Sequence, residues 1–308
     1  MSISNYNYEN LVFEGGGVRG AAYAGCVQVL AEKRVLHNIK RVAGTSAGSI
    51  TAGLLAVGAG SEGLTEAIET VKFGNFIKDF GWIFGDIYRL FKRYGLHTGD
   101  PFVKKLKSYI KQYTQNPNLT FAELEALVQK EPHKYKSLTV AASNITNQCA
   151  ELFDHKHTPN VPIWKAIRCS MSIPFVFEPY KVNGNYYMDG GLGWIYPIDV
   201  YDKRDKDNNQ VYNPKTLGFY LESPNQMKDP TFKPTPATIN SLKSAGSAML
   251  NFLYTASNAK HIDFADHKRT VFVNDLGIPS TEFDISEKDK NRLIAEGRKA
   301  TEAFFAKL

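Results

Sequence analysis

Two short apolar segments near the N-terminus are each followed at once by a glycine-bounded turn and then by a helical pattern. The first segment, residues 11–13 (LVF), precedes three glycines and a helix predicted over residues 18–30. The second, residues 39–43, precedes another tight turn and a helix predicted over residues 50–57. Strand, turn and helix in this repeated order are typical of a parallel sheet flanked by helices. The sequence therefore predicts an α/β fold.

The remainder of the chain continues this alternation of strands and helices. Strands are predicted at residues 138–142, 150–153, 180–182, 186–188, 217–221 and 270–273, and helices at 100–113, from Thr120, at 162–171 and after Thr238 and Ser286. Neither an internal repeat nor a linker divides these elements. We therefore expect residues 1–308 to form one domain, in which residues 10–200 carry the motifs and residues 215–308 complete the fold.

The composition fits a globular protein and favours particular classes of binding partner. Hydrophobic residues make up 43% of the chain and charged residues 22%, so a packed core is expected. The net charge of +6 favours anionic partners, either phospholipid head groups or nucleic acid. The three cysteines lie far apart, which predicts no disulfide framework and fits a reducing compartment. Because the N-terminus lacks an apolar signal core, we expect a cytoplasmic protein, or one exported without a cleaved signal.

The second glycine-bounded turn, residues 44–48 (GTSAG), has the spacing of a nucleophile turn. A nucleophilic serine must project from a sharp, strained turn, and glycines two residues to either side let the strand and helix approach each other. The helix that follows adds partial positive charge where an oxyanion develops. So short a pattern also arises by chance at a glycine-rich helix start. Its place between a strand and a helix makes Ser46 the candidate nucleophile.

The first glycine turn, residues 14–20 (EGGGVRG), permits two interpretations. Its glycines match the G-x-G-x-x-G fingerprint of dinucleotide-binding proteins. That fingerprint demands an acidic residue about 20 positions later, at the end of the second strand, to bind the ribose. The second strand, residues 39–43, has no carboxylate and leads directly into the serine turn. The dinucleotide interpretation therefore lacks the acidic residue that would bind the ribose.

The other interpretation is an oxyanion hole for an ester carbonyl. Successive glycine amides can point into one concavity because no Cβ blocks them. The three glycines concerned are Gly15, Gly16 and Gly17. Arg19 then either contacts an oxyanion or a phosphate head group as a substrate-binding residue, or forms a salt bridge with Glu14 or Glu32. We favour the oxyanion hole because both glycine motifs then belong to one site.

No histidine stands where a conventional catalytic triad needs one. The chain has seven histidines, and none lies in a glycine-flanked position at the end of a predicted strand. Asp189 offers an alternative base, since it follows a tyrosine-rich strand and opens the glycine loop 189–191 (DGG). A carboxylate within hydrogen-bond reach can take the serine proton and later activate water for deacylation. Taken alone, however, an Asp-Gly pair is more often an ordinary turn.

Together the three motifs resemble the patatin-like phospholipase family. They occur in the family's order, and residues 170–175 (SMSIPF), ahead of the aspartate, also look like the family. The resemblance covers roughly residues 10–200. It implies a three-layer α/β fold with a mostly parallel central sheet flanked by helices. One departure is the run 192–197 (LGWIYP), where the family often has an asparagine shortly before the proline.

The resemblance also implies a function. It makes Ser46 the nucleophile and Asp189 its base, in a dyad without histidine, and assigns the oxyanion hole to the glycines at 15–17. Family members hydrolyse acyl esters of phospholipids, and several need a host or activating factor. We therefore expect phospholipase A-type activity at a phospholipid membrane surface, with no metal, no organic cofactor and no nucleic acid. The alternatives are a non-catalytic lipid-binding scaffold and a nucleotide-dependent oxidoreductase.

Residues 71–95 carry aromatic and aliphatic side chains at helical spacing, with basic residues among them. Such a stripe fits an interfacial helix or lid that contacts the membrane beside a lipase site. A similar stripe more often packs on the core of a domain. Both interpretations remain open from the sequence.

Overall fold

The computed structural model describes residues 6–70, 95–228, 236, 238–240, 242–258, 262–280 and 282–308. The strands are β1 (Asn10–Phe13), β2 (Arg41–Thr45), β3 (Gly95–His97), β4 (Ser137–Asn144), β5 (Cys149–Phe153), β6 (Phe175–Phe177), β7 (Tyr180–Val182), β8 (Asn185–Met188), β9 (Lys203–Arg204), β10 (Gln210–Val211), β11 (Thr216–Glu222) and β12 (Thr270–Asn274). The α-helices are α1 (Ala22–Glu32), α2 (Ala47–Ala56), α3 (Gly60–Thr70), α4 (Asp100–Thr114), α5 (Phe121–Lys130), α6 (Ile163–Ser170), α7 (Pro224–Lys228), α8 (Leu242–Asn258), α9 (Phe264–Lys268) and α10 (Glu287–Phe305). The aromatic stripe, apart from residue 95, lies outside the described ranges.

A central sheet of eight described strands organises the fold. Its order is β12-β11-β1-β2-β4-β8-β7, and β5 also pairs with β4. The strands from β12 to β4 run parallel, whereas β5, β7 and β8 pair antiparallel. With helices flanking this sheet, the predicted α/β fold with a mostly parallel central sheet is confirmed.

Both faces of the sheet are buried, because alternate side chains of a strand point in opposite directions. In β1, Leu11 and Phe13 belong to the larger hydrophobic core, whereas Val12 belongs to a smaller core on the opposite face. The ring of Phe13 stacks on Phe219 of β11, with centroids 5.1 Å apart. The C-terminal strands therefore share one core with the N-terminal motifs.

Several predicted boundaries shift by a few residues. The strand predicted at residues 39–43 spans Arg41–Thr45, and the helix predicted from residue 18 begins as a 3-10 turn before α1. The helix predicted from Thr120 begins with a capping box at that residue, and the strands predicted at 180–182 and 186–188 form a hairpin. The charged segment 202–213 contains the short hairpin β9–β10. Among the described helices, none is long and apolar enough to cross a membrane.

Candidate active site

Ser46 occupies the sharp turn between β2 and α2. Its backbone angles, φ 49° and ψ −123°, are strained for a residue with a side chain. The flanking residues must be glycines because backbone atoms approach them too closely for a side chain. A Cβ on Gly44 would lie 2.3 Å from the Gly48 carbonyl oxygen. A Cβ on Gly48 would lie 2.3 Å from the Phe13 carbonyl oxygen. The strained, glycine-flanked turn predicted from the sequence is therefore present.

Asp189 follows β8 and caps the short 3-10 turn Gly190–Leu192. Its Oδ1 accepts the Gly191 amide proton at 2.8 Å, whereas the buried Oδ2 has no partner of good geometry among the described residues. The Ser46 hydroxyl lies close enough to Asp189 to lower the pKa of its carboxyl, but the two groups do not have the geometry of a good hydrogen bond. Hydrogen bonds between catalytic groups are often long or poorly aligned until substrate binds.

Burial dominates the ionisation of Asp189. The residue is 1% exposed, and desolvation raises the pKa of its carboxyl to about 7. The nearby Ser46 hydroxyl and the hydrogen bond from the Gly191 amide oppose this rise without cancelling it. A carboxyl with a pKa near neutrality can both accept and return a proton at physiological pH.

The glycine loop presents two backbone amides without an acceptor. The Gly15 amide donates to the Ile195 carbonyl at 2.9 Å, and the next amide beyond the glycines donates to the Ser280 carbonyl at 3.2 Å. The amides of Gly16 and Gly17 have no acceptor among the described residues. Gly17 has a φ of 56° and packs so closely that a Cβ would lie 1.9 Å from the Ser280 carbonyl oxygen. Within the part of the chain that the structure describes, two of the three predicted oxyanion-hole amides thus have no acceptor, and the third is already bonded.

Arg19 links the glycine loop to Asp275. Its Nη1 lies 2.6 Å from Asp275 Oδ2, and its Nε donates to the Gly16 carbonyl at 3.1 Å. The pairing with Glu14 or Glu32 that the sequence left open is not formed, since Glu32 instead pairs with Arg298. Arg19 remains 21% exposed on its side chain, on the cleft side of the loop.

Glu14 was not singled out from the sequence, yet it is buried directly beside this loop. Its Oε2 accepts the Leu221 amide proton at 2.6 Å. Desolvation raises the pKa of Glu14 to about 8, against the lowering effect of Arg19. Because Glu14 is then largely neutral at pH 7, Asp275 is the main counter-charge of Arg19.

All six predicted site residues line one cleft of about 260 Å³. They are Gly15, Gly16, Gly17, Arg19, Ser46 and Asp189. Four further residues that the sequence analysis did not select complete the lining: Ile173, Ile195, Tyr254 and Ser280. Ile173 and Ile195 lie in the segments 170–175 and 192–197 on either side of Asp189. Their nearness to that residue in the sequence could have indicated that they line the site. Tyr254 and Ser280 come from distant parts of the chain, with no motif to mark them.

A larger, mostly apolar cleft of about 600 Å³ lies beside the first and shares Gly17 with it. Ala47, the residue after Ser46, also lines this cleft. Its walls come from α2, α3 and α4, including Leu54, Ile68 and Leu106. Lys105 is the one charged residue described in the lining. Such a surface suits an aliphatic chain.

Within the described ranges, no group of three or more His, Cys, Asp or Glu side chains is placed to bind a metal ion. The half-buried His155 and the exposed His157 each contact a carboxylate. His157 Nδ1 lies 2.9 Å from Asp154, and His155 Nδ1 lies 3.5 Å from Glu125.

Comparison with known proteins gives relatives in sequence and in fold. The chain is 29% identical over 311 residues to protein R571 of Acanthamoeba polyphaga mimivirus, covering 99% of this chain and 96% of the relative. It is 28% identical over 211 residues to the probable lipid hydrolase 463L of Invertebrate iridescent virus 6, covering 68% of this chain and 69% of the relative. Its fold is similar to VipD from Legionella pneumophila, with a TM-score of 0.63 and 19% identity, covering 99% of this chain and 68% of VipD.

A family-level match covers the whole segment that carries the three motifs. The model of the patatin-like phospholipases aligns with residues 11–201, from the first strand of the sheet to beyond the aspartate loop. That range includes the serine turn, the glycine loop and Asp189, and it exceeds half of the 308 residues. By sequence and by fold, the chain belongs to the patatin-like phospholipase family.

Proposed function

We propose that this protein is a lipid acyl hydrolase of the phospholipase A type that works through a Ser46–Asp189 dyad. Membership of a phospholipase family supports lipid hydrolase activity. One observation carries the finer assignment. The same cleft is lined by a strained serine, a buried carboxyl with a pKa raised to about 7 and two glycines whose amides have no acceptor among the residues that the structure describes.

In the proposed reaction, Asp189 takes the Ser46 hydroxyl proton while Oγ attacks the ester carbonyl. The C–O bond to the lysolipid then breaks, and Asp189 returns the proton to the leaving alkoxide. The product is an acyl ester on Ser46. Water attacks this ester with Asp189 again acting as base, Asp189 then returns the proton to Ser46 Oγ as the acyl–oxygen bond breaks, and fatty acid leaves. No cofactor enters this sequence.

The tetrahedral intermediate needs hydrogen-bond donors for its oxyanion. The amides of Gly16 and Gly17 meet that need, since they have no acceptor among the described residues. The amide of Ala47 opens α2 and is a third candidate, as in other serine turns where the residue after the nucleophile donates. Gly15 contributes differently: a Cβ there would lie 3.2 Å from Ser46 Cβ, so glycine lets the loop approach the nucleophile.

Substrate binding follows from the two clefts. The apolar cleft beside Ala47 suits the acyl chain that becomes attached to Ser46. Arg19, which lines the catalytic cleft, supplies a positive charge for a phosphate head group. The substrate resides in a bilayer, so the proposal includes peripheral contact with a phospholipid membrane surface, where a protein partner would act as activator.

The test is hydrolysis of mixed phospholipid vesicles, with products identified by mass spectrometry. We expect free fatty acid and lysophospholipid from the native protein and a loss of several orders of magnitude with Ser46→Ala or Asp189→Asn. Ser137→Ala and Asp205→Asn are matched controls, because neither residue lines either cleft.

A fluorophosphonate probe provides a second readout, since it labels an activated serine without requiring a membrane. We expect labelling at Ser46 alone. A native protein that neither labels nor releases fatty acid would favour a non-catalytic lipid-binding scaffold. Full activity in Asp189→Asn would contradict the proposed base.

A further inference from the structure

The two proposed catalytic residues are joined by a buried segment, residues 170–172 (SMS), at the C-terminal end of α6. Ser170 and Ser172 are fully buried, and each contacts a different member of the pair. Neither lines the catalytic cleft. Their contacts therefore concern the placement of the dyad and not the substrate.

The Ser170 hydroxyl lies between the nucleophile and the neighbouring strand. Its Oγ donates to the Ala141 carbonyl of β4 at 2.6 Å and accepts the Ser46 amide proton at 2.8 Å. A hydroxyl has one proton and two lone pairs, so it satisfies both groups at once. The ladder between β2 and β4 ends at the pair Thr45 and Ala141. Ser170 thus bridges the strands at the point where the chain leaves the sheet at Ser46.

Ser172 ties the aspartate to the same segment. Its carbonyl accepts the Asp189 amide proton at 2.9 Å. Its hydroxyl donates to the Arg168 carbonyl at 2.8 Å and accepts a short hydrogen bond from the Arg168 guanidinium. Arg168 is itself buried and donates to the carbonyls of Thr98 and Glu178. The segment is therefore anchored at both ends.

We infer that Ser170 is a positioning residue that holds the strained backbone of Ser46 and, through residues 170–172, sets its separation from Asp189. The inference rests on the proposed function. The strained φ of 49° at Ser46 needs support from its surroundings, and the buried amide needs an acceptor. Ser170 provides the acceptor, and no other is found for this amide among the described residues.

The test is Ser170→Ala, assayed with a soluble ester and with hydrogen exchange. Loss of the hydroxyl leaves the Ser46 amide and the Ala141 carbonyl without this bridge. We expect kcat to fall about 10- to 100-fold, the range that a lost buried hydrogen bond produces, with KM nearly unchanged. We also expect faster amide exchange in the peptide containing Ser46. Ser137→Ala removes a hydroxyl from the opposite end of β4 and should change neither quantity.

Ser170→Cys leaves no cavity and keeps a weak S–H donor, so it serves as a second variant in case the alanine variant misfolds. We expect its kcat to lie between those of the native protein and Ser170→Ala. Native kcat in Ser170→Ala, with unchanged exchange at Ser46, would overturn the inference. A lower melting temperature with native kcat would also overturn it, since that result describes a structural residue only.

The exchange measurement separates this inference from the proposed function. If the native protein hydrolyses no ester, the proposed function fails. Faster exchange at Ser46 in Ser170→Ala would still show that the hydroxyl holds the turn.

Discussion

At the scale of single residues, the site combines strain with desolvation. Ser46 is kept at positive φ by glycine neighbours that allow backbone atoms to meet. Asp189 is kept almost wholly out of water, with one carboxylate oxygen bonded to the Gly191 amide. Burial disfavours the charged form, so the carboxyl binds a proton more tightly than an exposed aspartate does.

The raised pKa of Asp189 predicts the pH dependence of the reaction. Only the ionised carboxylate can accept the Ser46 proton, and the folded pKa is about 7 instead of 3.8. We therefore expect kcat/KM for an uncharged soluble ester to rise about tenfold per pH unit below pH 7 and to level off above it. The measurement is a pH–rate profile between pH 5 and 9. A profile flat down to pH 5 would show that the base titrates like an exposed carboxyl.

At the scale of secondary structure, glycines decide how closely elements pack. Helices α1 and α10 cross where a Cβ on Gly25 would lie 1.9 Å from the Ile294 carbonyl oxygen. On the other helix, a Cβ on Gly297 would lie 1.9 Å from the Ala22 carbonyl oxygen. Small residues near the start of α1 permit such close packing. The partner helix, more than 260 positions away, was not predictable from that pattern.

This crossing makes Gly297→Ala an informative substitution. In an unhindered helix, alanine is more stable than glycine by about 1 kcal/mol. Here the new methyl group meets backbone, so we expect the free energy of unfolding to fall by about 1–3 kcal/mol. Urea unfolding followed by circular dichroism measures it. Lys299→Ala, at an exposed position of the same helix, should change stability by less than about 0.5 kcal/mol. An increase in stability at Gly297 would mean that the helices can move apart.

At the scale of the whole molecule, the C-terminal third completes both sheet and site. The family match ends at residue 201, yet β11 pairs with β1 and β12 pairs with β11. The loop after β12 supplies Asp275 to Arg19 and the Ser280 carbonyl to the glycine loop. The glycine loop therefore depends on residues that follow it by more than 250 positions.

A fragment of residues 1–214 tests this dependence. It leaves β1 without β11 and exposes the core face that Phe219 covers, so we expect no cooperative thermal unfolding and no labelling at Ser46. Size-exclusion chromatography and near-ultraviolet circular dichroism measure the outcome. A chain of residues 1–306, which loses two exposed residues, should behave like the native protein. A folded, labelled fragment would contradict the expectation of one domain.

The local pattern of the sequence was enough to predict the α/β class, most strands and helices, and the glycine-flanked serine turn. These features follow from short-range rules, in which apolar periodicity and glycine positions act within about ten residues. The three motifs also brought Ser46, Asp189 and the glycine loop together as one hypothesis. The structure places them in the same cleft.

Only the tertiary structure decided which groups surround Ser46 and Asp189, which hydrogen bonds these groups form and how strongly Asp189 binds its proton. The bonded Gly15 amide, the Arg19–Asp275 pair, the Ser170 bridge and the pKa of about 7 at Asp189 depend on contacts between residues far apart in the chain. Hydrogen-bond partners and desolvation are properties of the packed site, because they depend on which atoms exclude water. A single sequence carries no direct record of those distances.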